Sequence, residues 1–78
     1  MSFENYLVPV SIDDGYRYDL RKTGLTVGVA TLDDGLWVAT PCDPKSGEFD
    51  TANAKSFKRL AGAEYYLLAI VFDGDDYY

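Results

Sequence analysis

The stretch SIDDGYRY, residues 11–18, places an Asp-Gly dipeptide between two runs of strand-forming residues. Asp-Gly in this setting is a strong hairpin signal, because a type I′ turn needs positive φ at both central positions and Asp and Gly tolerate that conformation. The same pattern recurs in TLDDGLWV, residues 31–38. The sequence therefore predicts two β-hairpins, with turns centred on Asp14-Gly15 and on Asp34-Gly35.

Four strands extend outward from these two turns. The second has the clearest pattern, because Tyr16, Tyr18 and Leu20 alternate with polar residues and so separate an apolar face from a polar one. Pro9 places the first strand at a sheet edge or a bulge, since proline cannot donate a ladder hydrogen bond. Gly28 predicts a bulge or a close backbone approach in the third strand. The predicted strands are residues 6–12, 16–22, 25–32 and 36–40.

A helix is predicted after the loop PCDPKSG, which occupies residues 41–47. It begins at Asp50 or Thr51, whose side chains can accept hydrogen bonds from the first backbone amides, and it ends at Gly62, a natural C-cap residue. Its length is about three turns. The last turn then carries Lys58 and Arg59, where cations stabilise the carbonyl end of a helix.

The apolar run YYLLAIVF, residues 65–72, is predicted to form a fifth strand from Glu64 to Phe72. A strand this apolar is usually covered on both faces and central in its sheet. The β-branched pair Ile70-Val71 favours a strand over a continued helix. The order β-β-β-β-α-β predicts a single α+β domain over residues 1–78, with an antiparallel sheet of about five strands and one helix on a face. A small β-barrel is the alternative.

The composition excludes several kinds of chemistry. The chain has no histidine, which excludes Ser-His-Asp triads, histidine general bases and the usual zinc sites. Its glycines match neither the dinucleotide-binding pattern nor the P-loop. The acidic ending DGDDYY has too few residues for a calcium-binding loop. We therefore expect a protein that is not an enzyme and that uses no metal or cofactor.

The single cysteine, Cys42, is expected to be unreactive. No histidine can activate it, and the neighbouring Asp43 raises the pKa of a thiol. A single cysteine cannot form an internal disulfide, which fits a reducing compartment. The sequence has neither a recognisable signal peptide nor an apolar run long enough for a membrane helix. We therefore expect a cytoplasmic location and no membrane partner.

The chain is acidic, with 13 acidic against 7 basic residues and a net charge of −6. An acidic protein repels phosphate, so direct nucleic-acid binding is disfavoured and a protein with a basic surface is the expected partner. Turn chemistry and solubility are the alternative explanation for the first two aspartate pairs. The candidate partner-binding residues are the acidic positions and the two terminal tyrosines: Asp13, Asp14, Asp33, Asp34, Asp73, Asp75, Asp76, Tyr77 and Tyr78.

Small size, acidic charge and the doublets at 13–14, 33–34 and 75–76 together resemble phage-encoded inhibitors of host defence, such as anti-CRISPR proteins and DNA mimics. The resemblance covers no diagnostic motif. It implies a non-enzymatic inhibitor that occupies a basic, nucleic-acid-binding site on a larger effector complex. The alternative is a small structural or accessory subunit that associates through a Tyr-rich face or a sheet edge, including with copies of itself.

Overall fold

The computed structural model describes residues 5–73, which form a five-stranded antiparallel sheet and one α-helix. The strands lie in the sheet in the order in which they occur in the chain, and the sheet is open, with β1 and β5 at its edges. The predicted α+β class is confirmed, and the barrel alternative is wrong. The elements are β1 (Leu7–Ile12), β2 (Gly15–Leu20), β3 (Thr26–Asp33), β4 (Leu36–Pro41), β5 (Lys55–Phe57) and α1 (Leu60–Asp73).

The second hairpin turn has the predicted geometry, whereas the first is shifted by one residue. Asp34 and Gly35 both have positive φ, of 50° and 78°, as a type I′ turn requires. In the first hairpin Ile12 pairs with Gly15, so the turn residues are Asp13 and Asp14. The prediction of an Asp14-Gly15 turn is therefore wrong. Gly15 belongs to β2, where a Cβ atom would overlap the backbone of β3.

The third strand contains both features that its glycine predicted. Tyr18 pairs with Gly28 and Asp19 with Thr26, so Val27 is an extra residue that forms a bulge. A Cβ atom on Gly28 would lie 2.7 Å from the carbonyl oxygen of Thr40. β3, β4 and the helix meet at this glycine, since the same Cβ would also overlap a side chain of α1.

The predicted order of the last two elements is wrong. Residues 51–57 form a 3₁₀ turn and the short edge strand β5, and the predicted strand from Glu64 to Phe72 is instead helical. Gly62 does not end a helix; it lies in the first turn of α1, where a Cβ atom would be 3.0 Å from the Phe57 ring. Lys58 and Arg59 precede the helix rather than ending it.

Helical spacing within the apolar run explains this outcome. Ala63, Leu67 and Val71 are buried at intervals of four residues, whereas Tyr65 and Phe72 are exposed. One side of the run therefore covers the sheet while the other faces solvent, which a strand central in the sheet would not do. The core joins this side of α1 to one face of the sheet, and its buried residues are Leu7, Tyr18, Leu20, Val27, Ala30, Ala39, Ala63, Leu67, Leu68 and Val71.

Between residues 5 and 73, no helix combines the length and the apolar character needed to cross a membrane.

Candidate functional site

The two acidic turns lie at the same end of the sheet. In an antiparallel sheet whose strands follow chain order, the β1–β2 and β3–β4 connections are both at one end. A backbone hydrogen bond joins the two hairpins there, because the amide of Leu32 donates to the carbonyl oxygen of Asp14 at 2.9 Å. Asp33 is the last residue of β3 and directly precedes the second turn. We call the four aspartates at or beside these turns, Asp13, Asp14, Asp33 and Asp34, the acidic end.

All four side chains of the acidic end are exposed. Within residues 5–73, none of their carboxylates forms an ion pair or accepts a side-chain hydrogen bond. Lys58 and Arg59, which follow β5, are also exposed and make no ion pair with these carboxylates. In contrast, Asp19 on the sheet face is paired with Arg17 at 3.1 Å. The acidic end thus presents carboxylates whose hydrogen-bonding capacity is available to a ligand or partner.

Apolar side chains surround these carboxylates. Ile12 is 36% exposed, Leu32 53% and Leu36 38%, which are high values for large apolar residues. A groove of about 410 Å³ lies beside Asp13 and Asp14, and its lining includes Ile12, Leu32 and two aromatic side chains. We call it the acidic groove.

The two aromatic side chains of the acidic groove are Tyr16 and Trp37. Their rings are stacked, with centroids 6.4 Å apart and an interplanar angle of 28°. Carboxylates attract a cation, and an aromatic face binds the same cation by a cation–π contact. The groove is therefore suited to a lysine or arginine side chain.

The structure separates Asp73 from the acidic end. Asp73 is the last residue of α1, and the ring of the preceding Phe72 packs on Tyr6 with centroids 4.9 Å apart. Tyr6 directly precedes β1, at the end of the sheet opposite the two acidic turns. The predicted strand that leads into Asp73 is wrong, since this residue ends a helix, and its role in partner binding stays a prediction. The other candidates, Asp75, Asp76, Tyr77 and Tyr78, lie outside the described residues.

The tyrosines between residues 5 and 73 differ in exposure. Tyr18 is fully buried, Tyr16 and Tyr66 are half-buried against the core, and Tyr65 is 63% exposed. Tyr16 and Tyr18 thus lie on the apolar side that the alternation in the second strand predicts, and of the adjacent pair Tyr65-Tyr66 it is Tyr66 that packs inward.

A second cleft, of about 360 Å³, lies between the β4–β5 connection and α1. Tyr66 closes one side of it by donating a hydrogen bond to the carbonyl oxygen of Asn53 at 2.6 Å. Cys42 lines this cleft but is only 2% exposed. Burial is the main cause that raises the pKa of its thiol, and the negative charge of Asp43 is the second. The predicted direction of this shift is confirmed, and it disfavours a nucleophilic thiolate.

No cluster of three or more Asp, Glu or Cys side chains suited to holding a metal ion occurs in the part of the chain that the structure describes.

Sequence reasoning identified the aspartates of the acidic end but not its apolar residues. The sequence places Leu32, Leu36 and Trp37 in strands. The alternation of apolar and polar residues along a strand does not show which positions extend beyond the helix that covers the sheet. The sequence signal that could find them is their position within two residues of the Asp34-Gly35 turn, since residues that flank a hairpin turn lie at the edge of the core.

Comparison with known proteins gives no match among family models, curated proteins or solved structures.

Proposed function

We propose that this protein is a non-enzymatic inhibitor whose acidic end binds a basic, nucleic-acid-binding site on a larger effector complex. The observation that carries the proposal is the pairing of two acidic turns by the backbone hydrogen bond between Leu32 and Asp14, at 2.9 Å. It holds four exposed carboxylates at one end of a small protein with a net charge of −6. Such a concentration of charge steers a protein toward a basic surface and favours the correct orientation.

The acidic groove supplies the second component of binding. Interfaces gain most of their affinity from a few apolar or aromatic contacts that exclude water, while charges at the rim mainly raise the association rate. Trp37 and Leu32 offer such contacts beside Asp13 and Asp14. A basic site that normally binds phosphate carries lysine and arginine side chains, and these can pair with the carboxylates while their stems lie on the aromatic rings.

The position of the carboxylates defines the kind of mimicry we propose. A protein that imitates a length of duplex would carry carboxylates along one face, whereas here they are gathered at one end of the sheet. The protein would therefore occupy one end of a nucleic-acid channel and prevent entry of the natural ligand. An inhibitor of the anti-CRISPR type, encoded by a phage and acting in the host cytoplasm, fits this description.

A pair of charge-matched variants tests the proposal. Asp13→Asn/Asp33→Asn removes two carboxylates from the acidic end, and Asp43→Asn/Asp50→Asn removes two exposed ones from the β4–β5 connection. Each changes the formal net charge from −6 to −4. Asparagine keeps the turn-forming preferences of aspartate, so both variants should fold. The assay is capture of partners from host lysate on immobilised protein, with quantitation of the retained complex and competition by duplex DNA.

We expect the turn variant to lose about tenfold or more in affinity, because two close charge pairs are removed, and the control variant to bind like the original protein. Duplex DNA should displace the retained complex. Equal weakening by both variants would show that net charge alone drives capture. Unchanged binding by the turn variant would contradict the proposed site.

A further inference from the structure

The outward side of helix α1 carries an uncharged stripe. Ala61, Tyr65, Ala69 and Phe72 follow one another at intervals of four, four and three residues, and all four are exposed. Tyr65 is 63% exposed, and Phe72, whose ring also contacts Tyr6 at one edge of the stripe, is 44% exposed. A surface helix normally has polar or charged residues on this side, and a helix that is apolar all round is normally buried. We call these four residues the outer stripe.

The charges of this helix are found at its two ends, with opposite signs. Exposed Lys58 and Arg59 immediately precede its first turn, and Asp73 is its last residue. The one charged residue between them, Glu64, is engaged by the Tyr18 hydroxyl at 2.6 Å. Cations at the amino end and an anion at the carboxyl end are the reverse of what the helix dipole favours. Within one copy, therefore, this arrangement of charges costs stability.

We infer that α1 is the interface of a symmetric homodimer in which the helices of two copies pack antiparallel along their outer stripes. An antiparallel arrangement brings Lys58 and Arg59, at the amino end of each helix, toward Asp73 at the carboxyl end of the other. It also opposes the two helix dipoles. Parallel packing would instead put like charges together at both ends.

The outer stripe has a matching pattern of size. A two-fold axis on the outer side of the helix, at the height of position 67, places position 65 of one copy opposite position 69 of the other, because these positions are equally distant from 67. The large side chain of Tyr65 then meets the small side chain of Ala69, and symmetry repeats the contact. Packing of large against small side chains is what allows two helix surfaces to interdigitate. The charge order and the size order thus both favour the antiparallel arrangement.

The size of the helix predicts a weak dimer. A helix of 14 residues is roughly 20 Å long and 10 Å wide, so its footprint is far below the roughly 800 Å² per partner of a standard interface. We therefore expect a monomer–dimer equilibrium at micromolar to millimolar concentrations. The interface involves none of the four aspartates of the acidic end, and it stands independently of the proposed function.

Sedimentation equilibrium of the full chain, from about 10 µM to about 1 mM, measures this equilibrium. We expect the mass of the original protein to rise toward that of a dimer across the range. Ala69→Lys places a charge at the centre of the interface, so this variant should stay monomeric at every concentration. Lysine has a high helix propensity, so the substitution should preserve the fold. The matched control is Leu25→Lys, at an apolar residue that is 47% exposed in the β2–β3 connection, and it should dimerise normally. Circular dichroism confirms the fold of each variant.

A charge exchange tests the antiparallel orientation of the two helices. Lys58→Glu/Arg59→Glu places acid against acid and should reduce the association constant about tenfold or more. Adding Asp73→Lys to this variant restores opposite signs at the two ends of the helix and should raise the association constant again. A protein that remains monomeric at about 1 mM would overturn the inference, as would a dimeric Ala69→Lys variant. Loss of the dimer without any recovery in the exchange variant would overturn the antiparallel orientation.

Discussion

The hydroxyl group of Tyr18 in β2 donates a hydrogen bond to Oε2 of Glu64 in α1, at 2.6 Å. Tyr18 is fully buried and is the largest of the wholly buried side chains. Burial first, and then the bond to Glu64 and its negative charge, raise the pKa of the Tyr18 phenol above its ordinary value. The phenol therefore stays protonated and keeps donating, and this bond ties the helix to the middle of the sheet.

The first prediction concerns the strength of this bond. Tyr18→Phe removes the donor and leaves a half-buried carboxylate without it, so we expect the free energy of unfolding to fall by about 1–3 kcal/mol. Urea denaturation followed by circular dichroism gives this value. Tyr16→Phe is the control, since within residues 5–73 that hydroxyl makes no hydrogen bond, and its effect should be within about 0.5 kcal/mol. Equal effects of the two substitutions would show that the bond contributes nothing.

The second prediction is a loss of stability at high pH. Because the folded-state pKa of Tyr18 is raised, the folded protein holds this proton more tightly than the unfolded chain does. The stabilisation is complete below the unfolded pKa of about 10 and decreases as the pH rises above it. Unfolding free energies measured at a series of alkaline pH values should therefore fall more steeply for the original protein than for Tyr18→Phe. Parallel curves for the two proteins would contradict the assignment.

The third prediction separates two roles of glycine. In Gly15→Ala the new methyl group meets the backbone of Ala30, which cannot move without disturbing the β2–β3 ladder, so we expect a loss of about 3 kcal/mol or more. In Gly24→Ala nothing lies within 4 Å of the new atom, and the cost is only that of a positive φ, about 1 kcal/mol. Thermal unfolding of both variants measures the difference. A milder effect at Gly15 than at Gly24 would mean that β2 and β3 do not approach as described.

The fourth prediction concerns the thiol of Cys42. Its low exposure and raised pKa should slow alkylation at neutral pH by at least about tenfold relative to the unfolded chain, because only an exposed thiolate reacts. Mass spectrometry after timed exposure to iodoacetamide, with and without denaturant, measures both rates. Similar rates in the two conditions would show that the cleft beside α1 opens readily.

Most of the sheet could be predicted from the sequence because its strands carry marks of their own. The alternation around Tyr18 and the Asp-Gly dipeptide at 34–35 are local signals, and the strands they predict agree with the structure within two residues at either end. The shift of the first turn has a different origin. Gly15 is required by a neighbouring strand rather than by the turn, and a contact between strands leaves no local mark in the sequence.

The C-terminal third was harder to predict because exposed positions of the helix are also apolar, so the helical period is not visible in the sequence. Tyr65, Ala69 and Phe72 fill positions that are usually polar in a surface helix, so the run lacks the alternation that distinguishes helix from strand. The β-branched pair Ile70-Val71 favours a strand, but alanine, leucine and glutamate in the same stretch favour a helix. Tertiary packing decides the outcome, because without this helix one face of the sheet would have no cover.

The candidate site was predictable in part. That both Asp doublets lie at or beside turns follows from hairpin chemistry, and that the turns share one end follows from the strand order. The place of Asp73 could not be predicted, because it depends on the helical state of the preceding residues. If residues 64–72 formed a strand, as the sequence predicts, Asp73 would follow the end of that strand instead of ending a helix.

The agreement between strand order and chain order bears on how the protein folds. Every strand after β1 pairs with the one before it, so the hairpins of β1 to β4 can form as soon as their own residues meet, and only the β4–β5 pairing has to close a longer connection, residues 42–54. Only the docking of α1 joins distant segments, as in the 46-residue separation between Tyr18 and Glu64. We therefore expect rapid formation of the hairpins and a transition state governed by the helix, with Tyr18→Phe slowing refolding more than it accelerates unfolding.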